Sequence, residues 1–420
     1  MRVAIVNQYC DEMLPPYQNS VGACSYGIAG SLAATCAVRV YGLSSSAGGV
    51  GEQWDKGVHY RLLPTSRLDS WLNRHERKLR KLGRPVNAGL LEPRSTSRFT
   101  YPVYGRQVAQ DISNDPVDIV YFQHCTQYIP DLRRHNPAVR IFLNVHHEFY
   151  PQCNQSALSS RLLHVDRVTC VSEFVANCVR RRFPEFADRV VAISNGVDWG
   201  EFDGAGDRRP SRQRETKQIL YAGAVSPEKG LHVLLAALEA VNRSVPDFHL
   251  NIVGSPGSRP VDEVLPQGPG AVDPQIESFF SKDYLGALRE MLSHELARKV
   301  SFLGMVPRAE LLKHYSEADL FVFPSLWDEG FGLPPVESMA AGVPAVCARS
   351  GAVPENVLHE KTGLIVEKND SSGLASALIR LLRDDALRQK MGAAGRERVK
   401  ERYTWDRAAE RLLAEMNAVL

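Results

Sequence analysis

The chain has 420 residues, of which 44% are hydrophobic and 23% charged, and its formal net charge is +2. These values are typical of a globular protein with two or three domains, and the small net charge argues against general nucleic-acid binding. Eight cysteines are scattered without a Cys-x-x-Cys pair, which indicates reduced intracellular thiols rather than a disulfide framework or a zinc site. Met1 leads directly into a strand pattern, and no apolar run reaches about 18 residues. We therefore expect no secretory signal, no membrane-spanning helix and a cytoplasmic location.

The first elements predict an α/β domain. VAIV at 3–6 and VRVYGL at 38–43 read as strands, separated by a long loop and an apolar helix-like stretch. A doubly wound domain typically opens in this order, with a strand, a glycine-bearing loop, a helix and a second strand. Gly22 lies where the loop is predicted to meet the helix. Without a Cβ it would let the backbone approach a phosphate, although an ordinary turn glycine would look the same.

Residues 67–84 form a basic segment with seven Arg or Lys against two acids. One face of a predicted helix roughly carries Leu68, Trp71, Leu72, Leu79 and Leu82. The pattern favours a solvated helix that is packed by its leucines. The alternative is peripheral membrane contact through the same face.

Two predicted strands end in histidine, DIVYFQH at 118–124 and RIFLNVHH at 140–147. Ligands in open α/β sheets bind beyond the carboxyl ends of the strands, so His124 and His146 are expected on the functional edge. The triplet at 146–148 contains types of metal ligand, but adjacent residues on a strand point to opposite faces. We therefore predict no metal site.

A second α/β half is predicted after a linker. Residues 201–217 are polar, charged and rich in residues that break regular structure. Strand patterns then resume with QILYAGA at 218–224, FHLNIVG at 248–254 and VSFLGMVP at 300–307. Residues 371–420 are helical by period.

The stretch FVFPSLWDEGFGLPPVESMAAGVPAV is the most informative part of the sequence. Glu329 and Glu337 bracket a Gly-Phe-Gly turn and a Pro-Pro helix start. Prolines suit the first helical turn, because their missing N–H groups would have no intrahelical partner there. An anion such as a diphosphate is favoured at the remaining amides, while the carboxylates accept hydrogen bonds from hydroxyls on either side. A nucleotide sugar has this chemistry. The amides left to face a ligand would be those of Phe331, Gly332, Leu333 and Val336.

This string resembles the donor-site motif of the retaining family 4, or group 1, glycosyltransferases, which have the GT-B fold. The resemblance implies that Glu329 contacts the donor hexose and that Glu337 holds the ribose diol. It also implies metal-independent transfer without a cofactor, in which the donor phosphate takes the acceptor proton. A UDP-sugar is the expected donor. The other donor contacts implied by the string are Gly330, Phe331, Gly332 and Leu333.

A second string, SPEKG, is similar to the family's Gly-Arg-Leu…Glu-Lys-Gly element. Lys229 matches the lysine that clamps the donor diphosphate, but Ala224 stands where the family has an arginine. This departure removes one cation from the leaving group. In the family the loop after the 300–307 strand frames the base, which implicates Val306.

The resemblance extends less strongly to the first half. The family loop there carries two adjacent glycines, whereas this chain has only Gly22 for donor contact. His146 matches a histidine near the donor sugar. His124 and Asn19 are expected to bind the acceptor. The predicted catalytic residues are Glu329, His146 and Lys229.

The predicted architecture is two Rossmann-like doubly wound domains facing a central cleft. The acceptor domain would cover 1–200, the linker 201–217 and the donor domain 218–395, with a helix at 396–420 crossing back to the first domain. The predicted activity is transfer of a hexose to a hydroxyl acceptor, without nucleic acid. The alternatives are a GT-B nucleotide-sugar epimerase or hydrolase, and a catalytically inactive nucleotide-sugar-binding relative, which Ala224 would favour.

Overall fold

The computed structural model divides the chain into two compact units, each built around one β-sheet. The first unit comprises Met1–Gly196 together with Trp405–Leu420, and the second comprises Val197–Thr404. The residues that the structure describes are 1–9, 14, 20–44, 51–82, 97–147, 155–203, 216–257, 279–280 and 283–420.

The first sheet has eight strands in the order β3-β4-β2-β1-β5-β6-β7-β8, and only the β3–β4 pair is antiparallel. Its central strands are apolar almost throughout, since a parallel sheet is covered on both faces. Val3 lies opposite Val38 on one side and Ile119 on the other. The strands are β1 (Arg2–Val6), β2 (Ala37–Ser44), β3 (Gly51–Asp55), β4 (Val58–Pro64), β5 (Ile119–Gln123), β6 (Arg140–Val145), β7 (Arg167–Cys170) and β8 (Val190–Ala192).

The second sheet is parallel throughout, with six strands in the order β11-β10-β9-β12-β13-β14. In each sheet the strand that comes first in the chain lies inside the order, and later strands lie on both sides of it. This is the doubly wound arrangement. The strands are β9 (Lys217–Ala222), β10 (Phe248–Val253), β11 (Val300–Gly304), β12 (Leu320–Phe323), β13 (Ala345–Ala348) and β14 (Gly363–Val366).

Helices lie between the parallel strands in chain order and follow the last strand of the second sheet. In the first unit they are α1 (Ser20–Leu32), α2 (Arg67–Leu82), α3 (Pro102–Asn114), α4 (Ile129–His135), α5 (Gln155–Leu162) and α6 (Glu173–Arg182). In the second unit they are α7 (Trp199–Phe202), α8 (Leu231–Ser244), α9 (Tyr284–Glu290), α10 (His294–Ala297), α11 (Arg308–Glu317), α12 (Leu333–Ala340), α13 (Val353–Asn356), α14 (Ser371–Arg383) and α15 (Asp385–Arg402). The leucines of α8 and α14 share one core cluster with the sheet.

The last helix, α16 (Trp405–Asn417), packs on α1 within the first unit. A Cβ on Gly27 would lie 2.2 Å from the Trp405 indole nitrogen, so only glycine permits this close approach. Ser31 donates a hydrogen bond of 2.7 Å to Asp406. The chain thus ends on the unit in which it begins.

The structure differs from the sequence-based expectations at several element boundaries. The first unit ends at Gly196 rather than at 200, and the returning helix begins at Trp405 rather than at 396. The β3–β4 hairpin was not predicted. Residues 204–215 of the predicted linker lie outside the described part of the chain.

The basic segment forms α2. Two side chains do not follow the packing that we favoured, Leu72 is half-buried, and the side chains of Leu79 and Leu82 lie outside the described residues. Leu68 and Trp71 are both exposed, whereas Asp69 is buried and accepts the backbone N–H groups of Val103 and Tyr104 at the start of α3. Membrane contact through this face stays a prediction. Among the described residues, no helix combines the length and apolar character that crossing a bilayer requires.

Candidate active site

Two loops at the carboxyl ends of β9 and β12 pack tightly against each other. Gly230 has a φ of 71°, and a Cβ there would lie 2.1 Å from the Pro324 carbonyl oxygen, so the contact requires glycine. The backbone N–H groups of Leu326 and Trp327 both donate to the carbonyl oxygen of Glu228. These contacts bring Lys229, at the end of the first loop, to the second loop.

Lys229 and Glu329, both predicted from the sequence, form an ion pair. The Lys229 Nζ lies 2.7 Å from Glu329 Oε1, and the same oxygen accepts a 2.5 Å hydrogen bond from the Ser325 hydroxyl. The Glu329 side chain is 13% exposed. Its backbone is fixed as well, because Ala352 donates to its carbonyl oxygen and a Cβ on Gly351 would collide with it at 2.3 Å.

The helix that follows Glu329 begins without a side-chain cap. Gly332, with a φ of 80°, is the N-cap of α12. Within the described residues, no hydrogen bond is found for the backbone amides of Gly332 and Leu333. Unpaired amides at a helix start favour a bound anion. The expectation for Val336 was wrong: it is the fourth helical residue, so its N–H bonds back to the Gly332 carbonyl.

Glu337 lies in the second turn of α12 and is held at both oxygens. Oε1 accepts a 2.5 Å hydrogen bond from Arg308 Nη1, and Oε2 accepts a 2.9 Å hydrogen bond from the Tyr315 hydroxyl. The carboxylate is 8% exposed. Burial and the nearby Glu337 raise the pKa of Tyr315 well above its usual value, so the hydroxyl remains a donor.

Arg308 contacts two carboxylates at once. Its Nε and Nη2 donate to one oxygen of Glu201 at 3.1 and 2.6 Å, while Nη1 faces Glu337. Burial alone would lower the pKa of Arg308, but both carboxylates raise it, so the guanidinium stays charged. Val306 lies two residues earlier, in the turn between β11 and α11, and is itself half-buried. Its contact with a base stays a prediction.

Sequence reasoning missed Arg308, Tyr315 and Ser325. One pattern could have revealed the first two. They are seven residues apart on α11, and that spacing puts two side chains on the same face of a helix. Nothing in the sequence indicates that this face meets Glu337, which comes from a different crossover.

Ala224, which stands at the family's arginine position, lies in the loop after β9 with its side chain exposed. Its carbonyl oxygen accepts a 2.7 Å hydrogen bond from the Tyr221 hydroxyl. The loop geometry therefore does not depend on a long side chain at this position, and a longer one would extend towards solvent.

The predicted histidines of the first unit lie at the carboxyl ends of β5 and β6. His124 has a φ of 63° and is 1% exposed. Burial, with a smaller effect of His146, lowers the pKa of His124 to about 3, and burial lowers the pKa of His146 to about 4. Both rings are therefore neutral at pH 7. The side chain of His124 is enclosed. In this conformation it therefore presents no exposed surface for the predicted contact with an acceptor.

His146 is partly buried among amide side chains. Its Nε2 lies 2.9 Å from Gln123 Oε1 and 3.2 Å from Asn144 Nδ2, and its backbone N–H donates to His124 Nδ1 at 3.4 Å. Gly22 lies in the first turn of α1 and is buried. The roles of these residues towards a substrate stay predictions. Asn19 lies outside the described residues.

Among the described residues, no group of three or more His, Cys, Asp and Glu side chains is arranged to hold a metal ion. The groups that the structure does bring together are a lysine, an arginine, two glutamates and a helix start. They can bind an anion and hydroxyl groups.

Two family models match the chain over adjacent regions. The model of glycosyl transferases group 1 matches residues 206–398, and the model of glycosyltransferase family 4 matches residues 51–200. A GDP-mannose-dependent alpha-(1-6)-phosphatidylinositol monomannoside mannosyltransferase of Mycobacterium tuberculosis is 33% identical over 260 residues. That alignment covers 58% of this chain and 60% of the relative.

Solved structures resemble the chain over its whole length. Sucrose-phosphate synthase from Thermosynechococcus elongatus gives a TM-score of 0.74 at 20% identity, covering 100% of both chains. The HepE protein of Anabaena, solved in complex with UDP-glucose, gives a TM-score of 0.67 at 16% identity, again covering 100% of both. At these identities the likeness concerns the fold. It confirms the prediction of the GT-B fold.

Proposed function

The chain belongs to the group 1, or family 4, glycosyltransferases, and from that premise we propose that it is a retaining enzyme. In this proposal it transfers a hexose from a nucleoside diphosphate sugar to a hydroxyl acceptor. The donor is held by the second unit, and no protein-bound metal takes part in the transfer.

One observation carries the proposal: two carboxylates with different supports lie on either side of an uncapped helix start. Glu329 is paired with Lys229, and Glu337 is held by Arg308 and Tyr315. A diphosphate at the start of α12 would lie between them. The hexose would then meet the first carboxylate, and the ribose diol would meet the second.

The chemistry that this arrangement supports is stabilisation of a leaving diphosphate. Glycosyl transfer passes through an oxocarbenium-like state, so the protein contributes mainly by positioning and by electrostatic stabilisation. Lys229 supplies a fixed cation, and the amides of Gly332 and Leu333 supply donors. The departing phosphate is left to take the acceptor proton, as the family resemblance implies for a retaining enzyme.

Lys229 is shared between Glu329 and the proposed diphosphate. An ammonium group has three donors, so one N–H can stay with the carboxylate while the others turn to phosphate oxygens. The pair would then orient the carboxylate towards the hexose. Because Ala224 supplies no second cation, the proposed site relies on this lysine more than the family pattern does.

The proposal also concerns which base and which sugar the donor carries. The HepE structure contains UDP-glucose, whereas the mycobacterial relative is named for GDP-mannose. We expect a UDP-sugar, with a GDP-sugar as its competitor. A thermal-shift series with UDP, GDP, ADP and dTDP would rank the bases, and the nucleotide that raises the melting temperature most identifies the donor class.

Incubation with a panel of nucleotide sugars and hydroxyl acceptors tests the activity. The expected result is nucleotide release that depends on an acceptor, with a product that keeps the anomeric configuration of the donor. Inversion at the anomeric carbon would contradict retention. Release of an interconverted free sugar would favour the epimerase or hydrolase, and binding without release would favour an inactive relative.

A further inference from the structure

We propose that Arg308 is a positioning residue that makes the site discriminate ribose from deoxyribose, acting through Glu337. This inference rests on the proposed function, in which Glu337 receives the ribose diol. It adds a residue that does not belong to either of the two sequence strings and a specificity that follows from its geometry.

The geometry of the Glu337 carboxylate is fixed at both oxygens. Glu337 uses one hydrogen bond at each oxygen, to Arg308 and to Tyr315. A carboxylate offers about four acceptor sites, so about two remain for a ligand. Fixing each oxygen from one side fixes the direction of the sites that remain. One site is then left on each oxygen, which is the number that the two hydroxyls of a vicinal diol require.

Arg308, Glu201 and Glu337 share one positive and two negative charges. Arg308 lies between Glu337 and Glu201, so one positive charge is divided between two carboxylates. The group of three keeps a net negative charge, and Glu337 therefore remains a strong acceptor despite its 8% exposure. Hydrogen bonds to a charged acceptor are stronger than those between neutral groups.

Residues of α7 hold the Arg308 guanidinium in place. Glu201 fixes the outer edge of the guanidinium through Nε and Nη2. The Arg308 guanidinium carbon also lies 5.8 Å from the centre of the buried Phe202 ring. Glu201 and Phe202 both belong to α7, directly after the boundary at Gly196. The planar fork of arginine is held at three nitrogens, and a lysine could not reproduce that geometry.

A purely structural role would be to anchor α7 on the second unit. It predicts that loss of Arg308 weakens every ligand equally or lowers stability only. The positioning role predicts a selective loss, confined to ligands that carry the ribose diol. The two roles are therefore separated by comparing a ribonucleotide with its 2′-deoxy counterpart.

The experiment is calorimetric titration with UDP and GDP, each compared with its 2′-deoxy form. The wild type is expected to bind the better ribonucleotide about 10-fold more tightly than its 2′-deoxy form, since a hydrogen bond to a carboxylate is lost. Arg308→Gln and Glu337→Gln should both reduce this ratio to about threefold or less. Arg298→Gln, an exposed arginine elsewhere in the second unit, is the matched control and should keep the wild-type ratio.

The outcomes separate the two proposals. This inference alone is overturned if the affinity ratio of ribonucleotide to 2′-deoxynucleotide falls in Glu337→Gln but not in Arg308→Gln. It is also overturned if Arg308→Gln weakens the binding of both nucleotides equally. If the wild type binds neither nucleotide, or Glu337→Gln keeps the ratio, the proposed function fails and this inference falls with it. If Arg308→Gln does not fold, Arg308→Lys replaces it. The lysine variant should lower the ratio at least about twofold, and an unchanged ratio would contradict the positioning role.

Discussion

The two sheets of this molecule carry chemically different groups beyond their strand ends. In the second unit, Glu329 and Glu337 each meet a cation within hydrogen-bond distance. In the first unit, His124 and His146 are neutral, with pKa values lowered to about 3 and 4 by burial. The described groups compared here are thus charged pairs in the second unit and two uncharged histidines in the first.

This difference teaches that one chain can place charged side chains at the strand ends of one unit and buried neutral side chains at those of the other. A diphosphate is anionic and is stabilised by fixed cations and helix amides. A hydroxyl acceptor is neutral and needs only polar partners. In the proposed function the charged pairs would meet the diphosphate, and changes to them should leave the two histidines of the first unit unaffected.

The largest effect on the charged pairs is expected from Glu329→Gln. A hydrogen bond to a charged group contributes about 1.5–3 kcal/mol, so turnover should fall about 10- to 100-fold while UDP alone still binds. Turnover at saturating donor and UDP affinity by calorimetry are the measurements. Glu290→Gln, an exposed residue of α9, is the control. Near wild-type turnover in Glu329→Gln would remove it from the hexose site.

The two buried histidines of the first unit should respond to pH instead. Because folding lowers the histidine pKa values, their contribution to stability is complete above the unfolded pKa of about 6.5 and is lost as pH falls towards 4. At pH 5 the loss is about 2 kcal/mol for each histidine. His124→Asn should make the unfolding temperature less dependent on pH between 7 and 5.

Asparagine is the matched replacement, because it tolerates the positive φ of position 124. Differential scanning calorimetry of both proteins at pH 7 and pH 5 measures the effect. An unchanged dependence on pH in the variant would show that His124 does not titrate with the shift assigned to it.

Lys229→Ala should weaken UDP binding about 10-fold and should also lower turnover, since it removes the cation assigned to the diphosphate. Its loss also leaves the Glu329 carboxylate without the ammonium group that lies 2.7 Å away. Uridine, which has no phosphate, should bind the variant and the wild type equally. Lys361→Ala, at an exposed position, serves as the control. Intact UDP affinity in Lys229→Ala would refute this placement of the phosphate.

The smallest effect is expected from restoring the cation that this chain lacks. Ala224→Arg should tighten UDP binding a few-fold, because a partly exposed charge pair contributes up to about 1 kcal/mol. Ala224 is exposed, so a longer side chain has room. Ala224→Gln controls for size without charge. A gain that is equal in both variants would exclude an electrostatic effect.

Much of the fold could be predicted from the sequence, because its elements have strong periodic patterns. The apolar strands β1, β5 and β12 and the helical C-terminal region follow from period and composition alone. The β3–β4 hairpin was missed, since β3 (Gly51–Asp55) is an edge strand with mostly exposed residues and lacks an alternating pattern. The sequence Tyr-Thr-Trp at 403–405 indicates a turn, but the returning helix was predicted from 396, because no glycine or proline marks the end of α15 at Arg402.

The candidate site was predictable only where its residues are close in the sequence. Glu329, Glu337 and the helix start between them belong to one string. Arg308 reaches Glu337 from another crossover, and such a contact depends on how helices pack, which local sequence does not encode. The pairing of Lys229 with Glu329 joins residues of two separate strings, and it became visible only in the folded loops.

A structure of the protein with UDP or GDP bound, whichever binds more tightly, tests the central claim most directly. The account predicts that phosphate oxygens lie about 3 Å from Lys229 Nζ and from the amides of Gly332 and Leu333. It also predicts that the ribose diol meets Glu337. A diphosphate bound away from the start of α12, or a ribose that does not contact Glu337, would contradict the account.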